Sequence, residues 1–329
     1  MNVLSSPRTI SSRPPLSSAA PHRKPLREQA AMLFGVGLPF AGLVAAIVLS
    51  WHRAVGWLDL GLLLGMYCFT GLGVTIGFHR MFTHRALQAG GVLRLVLGVA
   101  GSMSAQGPVL EWCAVHRRHH THSDRDGDPH SPHLRGAGWA AMAAGMWHAH
   151  FGWLFAPDSC DSRGSVSDLL ADPVLRVVDR FFWAWMVLGW IFPAVIAGLC
   201  LGSWVAALEG FLWGGLVRTF LLHHVTWSIN SVCHVRGSRA FATADQSRNN
   251  LIFGLLAFGE GWHNNHHAFP TSARHGLHWW QLDPSYWAIC LLEWAGMAWK
   301  VRRPTATALA SRRACPERVP GITLDYEPG

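Results

Sequence analysis

"AMLFGVGLPFAGLVAAIVLS", residues 31–50, contains no charged side chain and decides to which class of protein this chain belongs. A helix needs about 20 apolar residues to cross a hydrocarbon layer of roughly 30 Å. The stretch is long enough despite Pro39, and it exceeds the apolar core of about 7–15 residues in a cleaved signal peptide. It therefore predicts a first transmembrane helix.

Three more apolar stretches are long enough to span a bilayer: 57–77, 181–200 and 203–222. The last two are separated only by the turn around "CLGS", which predicts a tight helical hairpin. Residues 91–110 and 141–155 are also apolar but carry Ser, Gln, His and Gly, so we predict helices packed at the membrane surface. The pattern predicts an all-α integral membrane protein with four transmembrane helices.

The charge distribution supports a membrane protein. Only 14% of the residues are charged, against about 25% in a typical soluble domain, and the net charge is +8. Basic residues near the spans favour anionic lipid headgroups or an acidic redox partner over nucleic acid. The first loop has only Arg53 whereas the N-terminal segment is cationic, so the positive-inside rule places both termini in the cytoplasm. The N-terminal cations are Arg8, Arg13, Arg23, Lys24 and Arg27.

The polar ends of the chain lack apolar periodicity. We interpret residues 1–28 as a disordered basic tail, 29–301 as the membrane domain and 302–329 as a C-terminal tail. Two ionisable residues, Glu209 and Arg218, interrupt the last predicted span. We expect Arg218 to extend its guanidinium to the membrane interface.

Histidine occurs 20 times and is concentrated in three clusters. They are "HRMFTH" with His79 and His84, "HRRHH" with His116, His119 and His120, and "HNNHH" with His263, His266 and His267. Offsets of three and four put the imidazoles of each HxxHH box on one helical face. An even number of predicted crossings separates the clusters, so all can meet on the cytoplasmic side. Because eight imidazoles exceed what one tetrahedral zinc uses, they predict a cytoplasmic helical cap that holds two metal ions.

Other histidines are scattered, and we interpret them as hydrogen-bonding groups near the membrane interface. They are His22, His52, His130, His133, His148, His150, His223, His224, His275 and His278.

The segment "DRDGDPH" alternates Asp124, Asp126 and Asp128. A calcium-binding EF-hand loop would need Gly at its sixth position and Glu at its twelfth, where this sequence has Pro129 and Arg135. We therefore interpret these aspartates as groups that hold the loop or accept hydrogen bonds from metal-binding imidazoles.

The order HxxxxH, HxxHH and HxxHH among four spans resembles the membrane fatty acid desaturases, in particular the group that includes the acyl-CoA delta-9 desaturases. "GEGWHNNHHAFPTSARHG" resembles the bacterial members, and "DGDPHSP" resembles the family's segment after its second box. The resemblance runs from about residue 30 to residue 300. It also covers "NSVCH", in which Asn230 and His234 match a further family element.

The resemblance implies two irons bound by nine histidines, with Asn230 reaching one metal through water. The nine are His79, His84, His116, His119, His120, His234, His263, His266 and His267.

The resemblance also implies a kinked acyl tunnel. Gln106, Trp112, Thr226 and Trp227 match tunnel-lining residues by their offsets from the second box and from His234. Tyr67 and Gly71 match positions near the closed end that help set chain length. One departure concerns the headgroup: animal acyl-CoA enzymes have Arg-Asp before the second box, and this chain has Ala114 and Val115.

The implied activity is oxygen-dependent insertion of a cis double bond, at carbon 9, into a saturated acyl chain carried as acyl-CoA or as a lipid. Breaking an unactivated C–H bond requires a redox-active metal and O2. The chain has no ferredoxin-like cysteine run or fused haem domain, so a separate electron donor such as a ferredoxin or flavin reductase is expected. The bacterial resemblance implies the inner membrane.

Two alternatives stay open. A membrane di-iron hydroxylase of lipids or alkanes would share histidine clusters, although its expected His-Glu-rich boxes are missing here. A metal transporter or storage protein would place His or acidic residues inside the spans, and 31–50 and 181–200 contain none.

Overall fold

The computed structural model describes residues 24–51, 55–157 and 165–313. Most of both predicted tails, together with His22, His52 and Arg53, lies outside the described residues. The first helix begins at Leu26, a little before the predicted start of the membrane domain. A short helix, Ala306–Arg312, lies within the segment predicted as the C-terminal tail.

The described residues are mainly helical. The helices are α1 (Leu26–Ser50), α2 (Trp57–Thr83), α3 (Gly91–Ser102), α4 (Val109–His122), α5 (Trp139–His150), α6 (Ser167–Leu170), α7 (Pro173–Arg180), α8 (Phe182–Leu201), α9 (Trp204–His234), α10 (Leu251–Leu256), α11 (His263–Ala268), α12 (Pro284–Trp294) and α13 (Ala306–Arg312). A 3₁₀ turn covers Gly152–Phe155. Strands β1 (Gln88–Ala89) and β2 (Ala298–Trp299) pair antiparallel.

Four of these helices, α1, α2, α8 and α9, are long and apolar enough to cross a membrane. The predicted number of spans is thereby confirmed for the described residues. Helices α3 and α5 have 12 residues each. At 1.5 Å per residue they extend about 18 Å, well short of a hydrocarbon layer of roughly 30 Å. They pack beside the long apolar helices. The prediction that these segments are not transmembrane agrees with their length, and their place at the membrane surface stays a prediction.

The hairpin between α8 and α9 follows from two residues. Gly202 ends α8 with φ +60°, in the left-handed region that glycine adopts without steric cost. Ser203 caps α9, because its hydroxyl accepts a hydrogen bond from the backbone N–H of Val205 at 3.2 Å. The returning helix packs closely: a Cβ on Gly214 would lie 2.5 Å from Cβ of Pro193. Small residues permit this approach where helices meet in a membrane.

The prediction that Arg218 reaches the membrane interface is wrong, since its side chain is completely buried between helices. Pro193 has no N–H, so the carbonyl of Gly189 lacks the donor that would follow it one turn later in α8. Arg218 donates to that carbonyl at 2.8 Å, and to the carbonyl of Met103, just after α3, at 3.0 Å. Its Nε donates to Gly214 at 3.2 Å. Arg218 thus supplies Gly189 with the donor that Pro193 lacks, and it ties α8 and the residue after α3 to α9.

Two spans continue beyond their apolar segments, and these extensions position the site. Helix α2 runs to Thr83 through a π-helical portion, Gly73–Thr83, instead of ending near residue 77. Helix α9 contains a second π-helical portion, Phe211–Val217, and runs to His234 instead of ending near residue 222. The helices therefore carry polar side chains out of the predicted apolar spans toward the histidine boxes.

Candidate metal centre

The histidine clusters come together from four separate elements. His79 lies in the π-helical end of α2, and His84 directly follows it. The second box lies on α4, the third on the short helix α11, and His234 forms the end of α9. All nine histidines predicted from the sequence fall into two groups whose ligand atoms converge.

The first group has five imidazoles, with ligand atoms within 4.8 Å of one another. Its Nε2 atoms point at each other: His79 lies 3.1 Å from His266, and His266 lies 2.9 Å from His120. His116 connects the remaining members, with its Nε2 3.1 Å from that of His84. The members are His79, His84, His116, His120 and His266.

The second group has four imidazoles, again within 4.8 Å. The Nε2 of His263 lies 3.0 Å from that of His234 and 3.1 Å from that of His267. The Nε2 of His119 lies 3.4 Å from that of His267. The two groups adjoin, because the imidazole rings of His120 and His267 are 4.5 Å apart.

Each HxxHH box contributes to both groups. In the second box the outer pair, His116 and His120, belongs to the five-histidine group and His119 to the other. In the third box the outer pair, His263 and His267, belongs to the four-histidine group, and His266 to the first. On a helix, the residue at offset four is rotated by about 40° in one direction from the first residue, and the residue at offset three by about 60° in the opposite direction. The spacing therefore lets one helix serve two adjacent metal positions.

Carboxylates orient four of the imidazoles through Nδ1. Asp128 lies 3.0 Å from Nδ1 of His119, Asp124 2.8 Å from that of His234, and Asp245 2.8 Å from that of His267. Glu260 lies 2.6 Å from Nδ1 of His79. The prediction that aspartates of "DRDGDPH" contact these imidazoles is confirmed for Asp124 and Asp128. Asp126, by contrast, is exposed.

The donor set fits metal cations. A neutral imidazole that donates its Nδ1–H to a carboxylate carries a lone pair on Nε2. In the four-histidine group His119, His234 and His267 are all held this way, so their lone pairs converge. Converging lone pairs repel unless a cation lies between them. The separations of 2.9–3.4 Å between Nε2 atoms suit ligands bound to one ion by bonds of about 2.1 Å.

The ionisation of the site also suits a metal. Burial lowers the pKa of His267 to about 4 despite its hydrogen bond to Asp245, and burial lowers the pKa of His263 and His266 well below 6.5. Burial raises the pKa of Asp128, but the interaction with His119 more than reverses this and holds that pKa below its usual value. Neutral imidazoles backed by ionised carboxylates are the forms that metal binding requires.

Two cavities meet at the histidines. The larger, about 350 Å³, extends from Lys24, just before α1, to His116. The smaller, about 50 Å³, is lined by Gly71 and Phe258 and reaches His79 and His263. Four residues line both cavities: Trp112, His116, Thr226 and Asn230.

Of the predicted tunnel residues, Trp112 and Thr226 line both cavities, and Gln106 lines the larger one. Trp112 donates to Gln106 at 3.3 Å, and Gln106 donates to the hydroxyl of Thr226 at 3.0 Å. Trp227 lines the larger cavity and Gly71 the smaller. Tyr67 is not among the lining residues of these two cavities, but its ring contacts that of Phe258, which lines the smaller one, at 5.6 Å between centroids.

A profile of the fatty acid desaturase family matches residues 53–297. The matched segment contains the four-element histidine arrangement described above. The chain belongs to the fatty acid desaturase family. The protein is accordingly a fatty acid desaturase enzyme, and the resemblance deduced from the three histidine boxes is confirmed.

Individual relatives of this desaturase carry different substrate names. It is 41% identical over 292 residues to a hex-5-enoyl-[acyl-carrier protein] acetylenase of Moorena producens (strain JHB), covering 88% of this chain and 91% of the relative. It is 37% identical over 276 residues to an sn-1 stearoyl-lipid 9-desaturase of Anabaena variabilis, covering 82% and 92%. It is 34% identical over 271 residues to an acyl-CoA C20 Delta5-desaturase of Anemone leveillei, covering 81% of each.

The interpretation of His130 and His275 as lone interfacial groups is wrong, because both are buried beside the desaturase's imidazole groups. The ring of His130 stacks on that of His119, with centroids 4.4 Å apart. The ring of His275 lies 4.6 Å from that of His266. Their sequence signal was proximity to a box: His130 closes "DGDPH", and His275 follows the third box in "SARHG".

Glu260 is a site residue that the sequence interpretation missed. It contacts His79, and it also accepts a hydrogen bond from Nε of Arg80 at 3.1 Å. Arg80 is completely buried and pairs in addition with Asp283 at 2.9 Å. An acidic residue in the apolar run directly before the third box, "AFGEGWH", was the available signal.

Proposed function

We propose that this desaturase inserts a cis double bond into a saturated fatty acyl chain at a di-iron centre held by the nine histidines. The observation that carries the proposal is the junction of the two cavities. Imidazoles of both groups line the smaller cavity, and His116 lines both. A hydrocarbon chain that passes from one cavity to the other would lie against the metal ligands.

Iron, when bound, supplies the redox chemistry with O2 that breaks unactivated C–H bonds. Two adjacent carbons each lose a hydrogen, and O2 becomes two waters with two further electrons and two protons from outside. The protein keeps the imidazoles neutral by burial and orients them through Asp124, Asp128, Asp245 and Glu260. The cavity walls fix which carbons face the ligands.

Asn230 is the further group that we assign to the metal centre, through water. It lines both cavities and lies one helical turn before His234. The four-histidine group has one imidazole fewer than the other, so a water held by Asn230 would complete it.

The acyl headgroup is the part of the proposal with several candidates. The relatives' names include an acyl-carrier protein, a lipid and an acyl-CoA. The family resemblance implies acyl-CoA, while Ala114 and Val115 replace the Arg-Asp of animal acyl-CoA enzymes. We propose acyl-CoA as the first substrate, with desaturation at carbon 9, and the same acyl chain on a lipid or carrier protein as the comparison.

We also propose a bacterial inner-membrane location, with the site and both termini in the cytoplasm. The excess of basic residues before α1 supports this orientation. A cytoplasmic ferredoxin or flavin reductase could then deliver electrons directly to the site.

Lipid analysis tests the reaction. The protein should be expressed in a host that lacks monounsaturated lipid, and the fatty acids should be analysed by mass spectrometry with double-bond localisation. A new double bond is the expected result. A hydroxylated chain would instead favour the alternative of a membrane hydroxylase, and the absence of any modified chain would contradict both reactions.

Metal analysis of the purified protein tests the di-iron centre. It should give about two irons per chain, as in a two-metal site; a single zinc would refute the di-iron centre.

A further inference from the structure

The chain continues past the last residue matched by the family profile, and this continuation packs beside the metal centre. The match ends at residue 297, whereas the structure describes the chain to residue 313. We call residues 302–313 the C-terminal clasp. It contains α13, which begins after Thr305, whose hydroxyl accepts a hydrogen bond from the N–H of Ala308 at 3.2 Å.

The clasp starts by joining the segments that follow the first and third histidine boxes. The N–H of Arg302 donates to the carbonyl of Ala86, two residues after His84, at 2.8 Å. The carbonyl of Arg302 accepts from the N–H of Ala273, six residues after His267, at 2.9 Å. Arg302 thus ties these two segments to each other through its backbone.

Helix α13 then covers the end of α11, the helix of the third box. Phe241, Ala268 and Phe269 form a buried apolar cluster, and Leu309 of α13 packs against it. Arg312 donates to the carbonyl of Ala268, the last residue of α11, and its guanidinium lies 5.4 Å from the centre of the Phe269 ring. The last carbonyls of a helix have no donor within the helix, and basic side chains commonly supply one. The clasp therefore fixes the end of α11.

The clasp also holds the loop that leads to Asp245. The carbonyl of Arg312 accepts from the N–H of Ala242 at 3.0 Å. The same loop is fastened to α11, because the buried amide of Asn264 accepts from the N–H of Phe241 at 2.8 Å and donates to its carbonyl at 3.1 Å. The loop is thus bound to both the clasp and the third box, three residues before Asp245.

This loop orients two imidazoles of the four-histidine group. Asp245 lies 2.8 Å from Nδ1 of His267. The next residue, Gln246, donates its N–H at 2.7 Å to Asp124, whose carboxylate lies 2.8 Å from Nδ1 of His234. A displacement of the loop would therefore move the acceptors that hold both rings.

The two histidine groups depend on the clasp to different degrees. In the four-histidine group, His263 and His267 lie on α11, and His234 is held through the loop. In the five-histidine group only His266 lies on α11, and the other four members belong to α2 and α4 or directly follow α2. Loosening the clasp should therefore disturb the four-histidine group more.

We infer that the C-terminal clasp is a positioning element that sets how tightly the four-histidine group retains its metal, with Arg312 as its principal contact. The inference rests on the proposed metal centre and assigns part of its metal affinity to a segment outside the family match. Groups that orient metal ligands typically contribute about 10–100-fold to metal affinity. Because Arg312 acts through α11 rather than on a ligand directly, we expect an effect of about ten-fold.

The test compares full-length, iron-loaded wild type with Arg312→Ala and Arg303→Ala. Iron per chain is followed over time in excess chelator. Arg312→Ala should release one of its two irons about ten-fold faster and the other at the wild-type rate. Arg303→Ala is the matched control, because Arg303 also lies over an aromatic ring, Tyr286 at 5.5 Å, and pairs with Glu293, and both partners are on α12. It should release both irons at the wild-type rate.

Two further measurements separate positioning from general stability. The metal-free Arg312→Ala and Arg303→Ala proteins should unfold at nearly the same temperature, since each substitution removes an exposed arginine with similar contacts. Arg312→Ala and Asp245→Asn together should accelerate iron loss by less than the product of their separate effects, because both loosen His267.

The possible failures are distinguishable. Release of both irons from Arg312→Ala at the wild-type rate would overturn the inference, and so would equal acceleration of both irons or effects that multiply fully with Asp245→Asn. If Arg312→Ala does not fold, Leu309→Ala, which loosens the packing of the same helix, decides the inference by the same measurement. A wild-type protein that binds no second iron would instead overturn the proposed di-iron centre.

Discussion

Asp128 holds His119 by its Nδ1 atom at 3.0 Å, and it also accepts the backbone N–H groups of Asp124 and His130 at 2.8 and 3.1 Å. Asp128→Asn would keep an acceptor but remove the charge that favours Nδ1–H on His119. Loss of such an outer carboxylate typically costs 10–100-fold in metal affinity. We expect Asp128→Asn to lose iron about that much more readily, measured as iron per chain after titration with a chelator.

Asp126→Asn is the control for this measurement. Asp126 lies in the same loop, two residues away, and its side chain is exposed. Its iron retention should match that of the wild type. Equal retention by all three proteins would show that Asp128 only holds the loop.

The part of the site that could be predicted is the part with fixed spacing along the chain. His116, His119 and His120 follow one another on a single helix, so their shared face follows from helix geometry. Asp124 and Asp128 were predictable because their loop directly follows that helix. Asp245 was not, since it contacts His267 from a loop whose path depends on the whole fold. The division of the boxes between two groups likewise depends on how α4 and α11 face each other.

The same limit applies to the fold. Apolar length alone predicts the four spans, because the bilayer thickness sets a simple threshold. The place of Arg218 could not be predicted from length or composition. It depends on the carbonyl of Gly189, which Pro193 leaves without a donor on a different helix.

Arg218 should be essential for stability rather than for catalysis. Arg218→Met would keep most of the buried volume but remove hydrogen bonds to the carbonyls of Gly189, Met103 and Gly214. Each unsatisfied buried polar group costs about 1–3 kcal/mol. We expect the unfolding temperature in detergent to fall by several degrees, with Arg218→Lys intermediate because it retains part of the donor set. An Arg218→Met protein as stable as the wild type would contradict this interpretation.

Acid should destabilise the metal-free protein before it protonates the carboxylates. Burial lowers the pKa of His130 to about 3 and that of His267 to about 4, from an ordinary value near 6.5. Below pH 6.5 the unfolded chain therefore binds protons that the folded chain does not. The free energy of unfolding consequently decreases as the pH is lowered. The slope is up to about 1.4 kcal/mol per pH unit for each such histidine.

Thermal unfolding of the metal-stripped protein, followed between pH 8 and about 4, measures this dependence. The unfolding temperature should be nearly constant above about pH 7 and decline below about pH 6.5, and added iron should delay the decline. A metal-free protein that becomes more stable in this acidic range would contradict the burial of neutral imidazoles.

The hydrogen-bonded chain of Trp112, Gln106 and Thr226 should control where the double bond forms. Thr226→Val keeps the shape of the side chain but removes the hydroxyl that accepts from Gln106 at 3.0 Å. Gln106 would then be free to turn, and the acyl chain would no longer be held in one register past His116. We expect one double-bond position in wild-type products and two or more adjacent positions in Thr226→Val products, resolved by mass spectrometry of the derivatised fatty acids.

Ser228→Ala is the matched control for Thr226→Val, because the Ser228 hydroxyl donates to the carbonyl of His224 within the same helix. A single unchanged position in Thr226→Val would show that the cavity walls alone fix the register.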